Sequence, residues 1–130
     1  MAILLDTSVL IDYLRGRRSV RDRLERVRRE GDQMYVSAIN VEETVRGLVT
    51  REFEAARVLF AGLRVAPLGE QEGWRAGEWR RAYGARGRTL SQADCLIAAA
   101  ALSVNARVAT GNPKDFPMQD LVVEHWPVGA

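Results

Sequence analysis

The stretch AILLDTSVLIDYL, residues 2–14, indicates the fold class of this chain. It begins with a short apolar run and then places a carboxylate, Asp6, directly after the last leucine of that run. Apolar residues next recur at helical spacing until Gly16, and Asp12 is expected on the solvated side of this helix. The stretch therefore predicts a buried strand over Ala2–Leu5 that ends in an acid and leads into a helix.

The same alternation continues along the chain. Further strands are predicted at 34–37, 64–68, 107–110 and 121–124, with helical patterns between them. Because no linker or internal repeat separates these elements, we expect one domain over residues 1–130. Strands that alternate with helices favour an α/β fold, in which a central, mostly parallel sheet is flanked by helices.

Composition narrows the class of protein. Apolar residues make up 47% of the chain and charged residues 28%, which is typical of a folded domain. The longest apolar run, 96–102, is far shorter than the roughly 18 residues of a membrane span. Asp6 interrupts the apolar start too early for a signal peptide. With Cys95 as its single cysteine the chain forms no internal disulfide, and we expect a cytoplasmic protein with no membrane partner.

Positive charge is unevenly distributed, although the net charge is only +2. Eight arginines lie within residues 15–29, a second arginine cluster lies within residues 75–88, and Lys114 is the only lysine. The guanidinium group is well shaped for bidentate contact with phosphate, which suggests a nucleic-acid partner. The alternative is that both clusters are solvated helix faces.

Acidic and amide side chains follow several of the predicted strands. Asp6 closes the first strand, Glu43 lies in the first turn after the second, and Asp94 lies in the first turn of an alanine-rich helix. The loop GNPKDF adds Asn112 and Asp115 after the strand 107–110. A parallel sheet gathers such side chains at one edge, where carboxylates repel each other unless a cation lies between them. Oxygen ligands without His or Cys favour Mg²⁺ or Mn²⁺ over zinc.

Each of these acids also has a purely structural explanation. Asn40 with Glu43, and Ser91 with Asp94, fit a capping pattern in which the acid satisfies a free amide at the start of a helix. Asp115 fits a turn residue. Their coincidence at one predicted edge of the sheet is therefore a stronger indication of a metal site than any single acid.

The sequence gives little support for catalysis by histidine or cysteine without a metal. The only histidine, His125, lies near the end of the chain beside Trp126. Cys95 follows Asp94, but no histidine accompanies it, and a buried helical thiol is usually inert.

Aromatic residues recur in the predicted helix 70–83. The spacing of Trp74, Trp79 and Tyr83 predicts that they pack in the core, with stacking on nucleic-acid bases as the alternative.

Four segments of the chain occur in the order and spacing of one known family. They are LLDTSVLIDYLRG, SAINVEETVRG, SQADCLIAAAAL and VATGNPKDF, and the resemblance extends over residues 2–116. The chain resembles the PIN-domain ribonucleases and is most similar to the VapC toxins of bacterial toxin–antitoxin pairs. Four ordered motifs make this resemblance specific.

The resemblance implies a three-layer PIN-like fold and a divalent-metal-dependent endoribonuclease, with Mg²⁺ as the cofactor and Mn²⁺ as its alternative. Metal-activated water would attack the phosphate of an RNA substrate and leave a 5′ phosphate and a 3′ hydroxyl. The resemblance also implies inhibition by a cognate VapB-like antitoxin and assembly into a homodimer.

By position, the resemblance implies that Asp6, Glu43 and Asp94 hold the metal. The chain departs from the fullest family pattern at Asn112, where aspartate is often found, and Asp115 lies three residues further on. The implied catalytic set is therefore the three acids together with Asn112 and Asp115, and the sequence leaves open which of these two completes the site.

Three other functions fit parts of the pattern. A catalytically silent PIN-like protein that binds only a partner or RNA is compatible with Asn112, although the three acids argue against it. A phosphoacceptor domain needs a second acid at the first strand, which LLDTS lacks. A haloacid-type phosphatase needs an aspartate where Ser8 stands.

Overall fold

Parallel strands form one central sheet in the computed structural model, which describes residues 1–129. Within this part of the chain the strands are β1 (Ala2–Leu5), β2 (Gln33–Val36), β3 (Arg64–Val65), β4 (Ala106–Thr110) and β5 (Val123–His125). Neighbouring strands pair in parallel, and their order across the sheet is β3–β2–β1–β4–β5. The predicted central sheet is confirmed.

Helices flank this sheet. They are α1 (Thr7–Leu14), α2 (Arg18–Arg29), α3 (Ala38–Arg46), α4 (Phe53–Ala61), α5 (Glu70–Ala85) and α6 (Gln92–Ser103), with short 3₁₀ turns at Thr50–Glu52 and Pro113–Asp115. The arrangement confirms the predicted three-layer α/β fold. Between residues 1 and 129, no helix is both long and apolar enough to cross a membrane.

Alternate residues of β1 point into two separate core clusters. Ile3 and Leu5 pack on one face of the sheet with apolar residues of α1 and α2, while Leu4 packs on the other face with α6. All three side chains are fully buried. A strand covered on both faces explains why the sequence here is a continuous apolar run and does not alternate with polar residues.

The third strand is shorter than the predicted 64–68. The N–H of Ala66 still donates a 2.8 Å hydrogen bond to the carbonyl of Val36. Pro67 has no N–H to donate, so the pairing of β3 with β2 ends at this point.

The order of the strands reverses at β1, because β2 lies on one side of it and β4 on the other. Leu5 pairs with Ala109, so the next residues, Asp6 and Thr110, lie side by side at the carboxyl ends of β1 and β4. Open parallel sheets bind ligands in the crevice at such a reversal, beyond the carboxyl ends of the strands. This crevice is therefore the first place to look for a functional site.

Two side chains lie differently from the sequence prediction. Asp12, expected on the solvated side of α1, is buried, and its carboxylate accepts a 2.6 Å hydrogen bond from the N–H of Gly129. Trp74, expected in the core, is 68% exposed, whereas Trp79 and Tyr83 do pack against the core. The spacing could not show that the C-terminal segment returns to α1, or which face of α5 the fold would bury.

Candidate active site

Asp6 lies in the crevice between the end of β1 and the start of α1, and only 7% of it is exposed. One carboxylate oxygen accepts a 2.7 Å hydrogen bond from the hydroxyl of Thr110, and the other lies 3.4 Å from the side-chain nitrogen of Asn40. Asp6 occupies the N-cap position of α1, but its side chain makes no capping hydrogen bond. Capping therefore does not explain this acid.

Burial raises the pKa of Asp6 to about 6. Hydrogen bonds from the Thr110 hydroxyl and the Thr7 backbone act in the opposite direction, while the charges of Asp94 and Glu43 raise this pKa further. An acid that is ionised at neutral pH in such surroundings destabilises the fold unless a cation lies nearby.

Glu43 is connected to Asp6 by a chain of hydrogen bonds. The carboxylate of Glu43 accepts a 2.8 Å hydrogen bond from the hydroxyl of Thr7. The Thr7 hydroxyl in turn accepts a 3.2 Å hydrogen bond from the side-chain nitrogen of Asn40, which also approaches Asp6. Thr7 and Asn40 therefore hold the two acids in a fixed relationship.

Asn40 is not the N-cap of α3 but the third residue of a capping box that begins at Ser37, so the predicted pairing of Asn40 with Glu43 as a cap is wrong. The N-cap is Ser37, whose hydroxyl accepts a hydrogen bond from the backbone N–H of Asn40 at 3.3 Å. The side-chain oxygen of Asn40 accepts hydrogen bonds from the hydroxyl and the N–H of Ser37 at 2.7 and 3.0 Å. Because its oxygen is held in this way, Asn40 turns its NH₂ group toward the acids. Glu43 lies beyond the first turn of α3, not within it as predicted.

Asp94 enters the crevice from the first turn of α6. Ser91 caps this helix as predicted, since its hydroxyl accepts a 3.0 Å hydrogen bond from the N–H of Asp94. Burial raises the pKa of the Asp94 carboxyl against the effect of a hydrogen bond with Ser91, and the charges of Asp115 and Glu43 raise it further. Capping thus accounts for the backbone of Asp94 but not for its proximity to other acids.

The loop after β4 brings Asp115, and not the side chain of Asn112, into electrostatic contact with the site. The Thr110 hydroxyl that donates to Asp6 also accepts a 3.0 Å hydrogen bond from the backbone N–H of Asn112. The Asn112 side chain is exposed and makes no hydrogen bond to any residue from 1 to 129. Asp115 lies near enough to raise the pKa of Asp94. Of the two candidates for a fourth position, Asp115 is the one that adds charge.

Gly111 allows the C-terminal segment to pack over the rim of the crevice. Its N–H donates a 3.0 Å hydrogen bond to the hydroxyl of Ser8, which ties α1 to the loop after β4. A Cβ atom at position 111 would lie 2.6 Å from Cγ1 of Val128, a distance that no side chain tolerates without movement. Glycine leaves room for this close approach, whereas a larger residue would require Val128 to shift.

The donor set suits a hard divalent cation, although the side chains do not form a finished metal site. In the described part of the chain, residues 1–129, no group of three or more His, Cys, Asp or Glu side chains is placed so that it could hold a metal ion. Besides burial, the charges of neighbouring acids nevertheless raise the pKa of Asp6 and of Asp94. The donors are all carboxylate oxygens, which Mg²⁺ and Mn²⁺ prefer. A cation between them would offset both the burial and the repulsion, so the residues fit a divalent metal once the side chains turn toward it.

Sequence analysis missed two residues of this site, Thr7 and Asn40. A hydroxyl beside Asp6 fits an ordinary helix start, and an asparagine after Ser37 fits an ordinary cap. Their shared role depends on the packing of α3 against α1, which no local pattern reports.

Similarity to known proteins covers most of the chain. The PIN domain family matches residues 3–117. The protein named Ribonuclease VapC10 of Mycobacterium tuberculosis (strain ATCC 25618 / H37Rv) is 36% identical over 116 residues, which is 89% of this chain and 86% of that protein.

Solved structures agree with this match. VapBC-1 from nontypeable Haemophilus influenzae is 28% identical with a TM-score of 0.81, covering 97% of this chain and 98% of that one. A toxin-antitoxin complex from Klebsiella pneumoniae is 26% identical with a TM-score of 0.76, covering 94% of this chain and 96% of that one.

Proposed function

The chain belongs to the PIN domain family, and from this premise we propose that it is a divalent-metal-dependent endoribonuclease toxin of the VapC type. One observation carries the proposal. Burial raises the pKa of Asp6 at the end of β1 to about 6, and the charges of Asp94 and Glu43, from α6 and α3, raise it further. Metal-dependent hydrolysis of RNA is the best explanation for such carboxylates in a chain whose relatives are named ribonucleases.

Asp6, Glu43 and Asp94 would hold the cation, Mg²⁺ or Mn²⁺, and Asp115 would supply further negative charge beside it. When bound, the cation lowers the pKa of a water molecule and neutralises charge that develops on the phosphate. Asn112 offers only a neutral amide, so we assign it no charge-bearing role.

Other residues of the site position the acids. Thr110 holds one oxygen of Asp6 at 2.7 Å, and Thr7 holds Glu43 at 2.8 Å. Supporting hydrogen bonds of this kind limit the orientations open to carboxylates that hold a metal ion. Hydrolysis at this site would leave a 5′ phosphate and a 3′ hydroxyl.

RNA is the substrate that we propose, bound through arginines that the fold leaves without acidic partners. α2 buries Val20, Leu24 and Val27 and leaves most of its arginines exposed. Among the described residues, no arginine within 15–29 forms an ion pair. Cations of this kind bind the phosphate backbone irrespective of base sequence.

A second group of cations lies near the loop after β4. The guanidinium of Arg88 donates a 2.6 Å hydrogen bond to the backbone carbonyl of Lys114. Two exposed positive side chains are thereby placed next to Asp115, where the phosphates flanking the cleaved bond would pass.

We also propose a VapB-like antitoxin as the inhibitor and a second copy of this chain as a partner. The support for the antitoxin is the similarity to a toxin-antitoxin complex. α3 and α4 also border an apolar groove of about 460 Å³, whose lining includes Val41, Val45, Phe53 and Phe60. Such a groove suits the apolar face of an amphipathic helix.

The test is cleavage of total cellular RNA by the purified chain, free of antitoxin, with Mg²⁺, Mn²⁺ or a chelator. We expect discrete fragments with either metal and intact RNA with the chelator. The Asp6→Asn variant should fold and leave RNA intact, while Asp120→Asn, at an exposed acid paired with Arg75, should cleave normally.

Asn112 favours a second candidate, a catalytically silent PIN-like protein that binds RNA or a partner. Intact RNA in every lane, from folded protein that still retains RNA on a filter, would replace the nuclease with this candidate. Cleavage that persists in chelator would overturn the metal dependence alone.

A further inference from the structure

The two arginine clusters of the chain lie on opposite layers of the fold. α2, which carries most of the first cluster, packs with α1 against one face of the sheet, while α5 and α6 pack against the other face. The second cluster lies in α5 and in the loop that leads to α6. The candidate active site lies between these layers, at the edge where β1 and β4 end. Positive charge is therefore present on both sides of the crevice.

A short series of contacts joins the rim of the crevice to the start of α2. Val128 packs so closely on Gly111 that an added Cβ atom would lie 2.6 Å from its Cγ1. The next residue, Gly129, donates its N–H to the carboxylate of Asp12 at 2.6 Å. The backbone carbonyl of Asp12 in turn accepts a 3.0 Å hydrogen bond from the N–H of Arg17. Because Arg17 is the N-cap of α2, the helix starts close to the crevice.

The other end of α2 lies at the opposite edge of the sheet, where the strands begin. The helix ends at Arg29, and Asp32 follows three residues later. The carboxylate of Asp32 lies 3.7 Å from the N-terminal amine of Met1 and accepts a 2.8 Å hydrogen bond from the guanidinium of Arg107. Met1 precedes β1 and Arg107 lies near the start of β4, so the last turn of α2 is remote from the crevice.

The arginines around the start of α2 have no structural partner that explains them. Arg15, Arg17, Arg18 and Arg21 are all exposed, and no acid within residues 1–129 forms an ion pair with them. The first turn of α2 contains no acid either. Cations at the start of a helix oppose its dipole, so the stability of the helix does not account for this cluster. Its charge is available to an anion outside the chain.

On the opposite layer, a braced loop holds Arg88 beside the crevice. The backbone N–H of Arg88 donates a 2.9 Å hydrogen bond to the carbonyl of Tyr83, whose hydroxyl donates a 2.9 Å hydrogen bond to the carbonyl of Pro117. The guanidinium of Arg88 also reaches the carbonyl of Lys114 at 2.6 Å. These bonds tie the loop before α6 to the segment that carries Asp115. Since Arg88 is exposed, its other N–H groups remain available for a phosphate.

We propose that RNA crosses the carboxyl edge of the sheet from one layer to the other and occupies two phosphate-binding subsites. Phosphates on one side of the cleaved bond lie at Arg17 and Arg18, and phosphates on the other side lie at Arg88 and Lys114. Between the rim and α2 the strand passes over Val128, which is 43% exposed. The inference rests on the proposed function and deepens it, because it gives the path of the substrate through the site.

The separation of the two subsites selects a polymer as their occupant. A small anion can bind at only one of them, whereas a chain of phosphates binds at both, and each contact makes the other more favourable. Because the acids lie between the subsites, a strand that spans both is drawn across Asp6 and Asp94.

The first experiment measures the binding of a labelled, unpaired oligoribonucleotide to the full chain by fluorescence anisotropy at several salt concentrations. Every protein carries Asp6→Asn, so that the RNA stays intact. Arg17→Gln combined with Arg18→Gln should reduce the slope of log affinity against log salt by about 0.7 for each lost phosphate contact, or about 1.4 in all.

Two matched pairs accompany this variant, and each removes the same charge. Arg51→Gln with Arg64→Gln, at exposed positions outside both clusters, should leave the slope unchanged. Arg28→Gln with Arg29→Gln, in the last turn of α2, should change the slope less than the pair at the start of the helix does.

The second experiment measures kcat/KM for oligoribonucleotides that are shortened stepwise from either end around one cleaved bond. In the original chain, kcat/KM should fall when either end is shortened. In Arg17→Gln with Arg18→Gln, shortening one end should no longer matter, and in Arg88→Gln the same should hold for the opposite end. A general loss of stability or charge would not separate the two ends of the substrate.

The path is overturned by an unchanged salt slope in Arg17→Gln with Arg18→Gln, or by an equal change in Arg28→Gln with Arg29→Gln. It is also overturned if Arg88→Gln and the α2 variant lose their dependence on the same end of the RNA. A slope change confined to the start of α2, in a chain that cleaves no RNA, would support that subsite and remove the nuclease. The two proposals therefore fail separately.

Discussion

The hydroxyl of Thr110 donates a 2.7 Å hydrogen bond to the carboxylate of Asp6, although the two residues are 104 positions apart in the chain. The bond forms because β1 and β4 pair in parallel and end at the same edge of the sheet. It fixes the most buried acid of the site at the point where the order of the strands reverses. The sheet thus positions Asp6 directly, and not through a flexible loop.

Replacing Asp6 by asparagine should stabilise the metal-free protein while it abolishes cleavage. The pKa of Asp6 is about 6 in the fold and 3.8 in the unfolded chain. The folded state therefore retains its proton between these values, and the stability of the original chain falls as pH rises from about 4 to about 6. The deficit that remains above pH 6 is up to about 3 kcal/mol, and Asp6→Asn removes it.

Thermal unfolding in chelator, measured from pH 4 to pH 8, checks this prediction. The melting temperature of Asp6→Asn should exceed that of the original chain at pH 8, and the difference should vanish near pH 4. Asp22→Asn, at an exposed position of α2, is the control. A difference that is the same at every pH would show that the charge of Asp6 is not its cause.

Thr7→Val should impair cleavage without unfolding the protein, because it removes the hydroxyl that joins Asn40 to Glu43. Loss of such a supporting contact typically costs about 10- to 100-fold in metal affinity or activity. Thr7→Ser keeps the hydroxyl and should retain most of the activity. The measurement is the Mn²⁺ concentration at half-maximal cleavage, which should rise for valine and not for serine. Equal values for the two variants would remove Thr7 from the site.

Asp12→Ala should destabilise the fold, because the buried carboxylate of Asp12 accepts a hydrogen bond from the N–H of Gly129 at 2.6 Å. Breaking a bond of this kind costs about 1–3 kcal/mol. The measurement is the free energy of unfolding in urea, compared between Asp12→Ala and Asp22→Ala. The second variant, at an exposed position of α2, is the control for the loss of a helical charge without this hydrogen bond. Equal stability of the two variants would mean that the C-terminal segment does not depend on Asp12.

Gly111→Ala should displace the C-terminal segment, since the added Cβ would lie 2.6 Å from Val128. Overpacking of this size costs about 1–3 kcal/mol. Val128→Ala in the same chain removes the opposing methyl groups and should recover most of the loss. If the double variant is no more stable than Gly111→Ala, the clash with Val128 is not the reason for a glycine at this position.

The sequence was sufficient to predict the parallel sheet because each buried strand carries its own signal. Residues Ala2–Leu5 form a short apolar run that is followed at once by helical spacing, and such local patterns do not depend on distant contacts. Asp6, Glu43 and Asp94 could be selected for the same reason, since each stands at the end of a predicted strand or near the start of a predicted helix.

What the sequence could not provide depends on contacts between distant elements. The local pattern around Asn40 indicates only a role at the start of a helix. The packing of α3 against α1 is what brings its NH₂ group toward Asp6. The sequence predicts a solvated Asp12, but the fold brings the N–H of Gly129 to its carboxylate. The sequence predicts a core position for Trp74, but the fold buries the opposite face of α5. In each case one helical pattern is compatible with two orientations, and only tertiary packing selects between them.

The most direct test of the carboxylate site is the binding of Mn²⁺ to the purified chain, followed by electron paramagnetic resonance in the absence of RNA. Asp6→Asn, Glu43→Gln and Asp94→Asn should each weaken binding at least about tenfold, because each removes a charged oxygen ligand. The exposed acid variant Asp120→Asn should bind Mn²⁺ as the original chain does. Equal affinity in all four variants would contradict a metal site built from Asp6, Glu43 and Asp94.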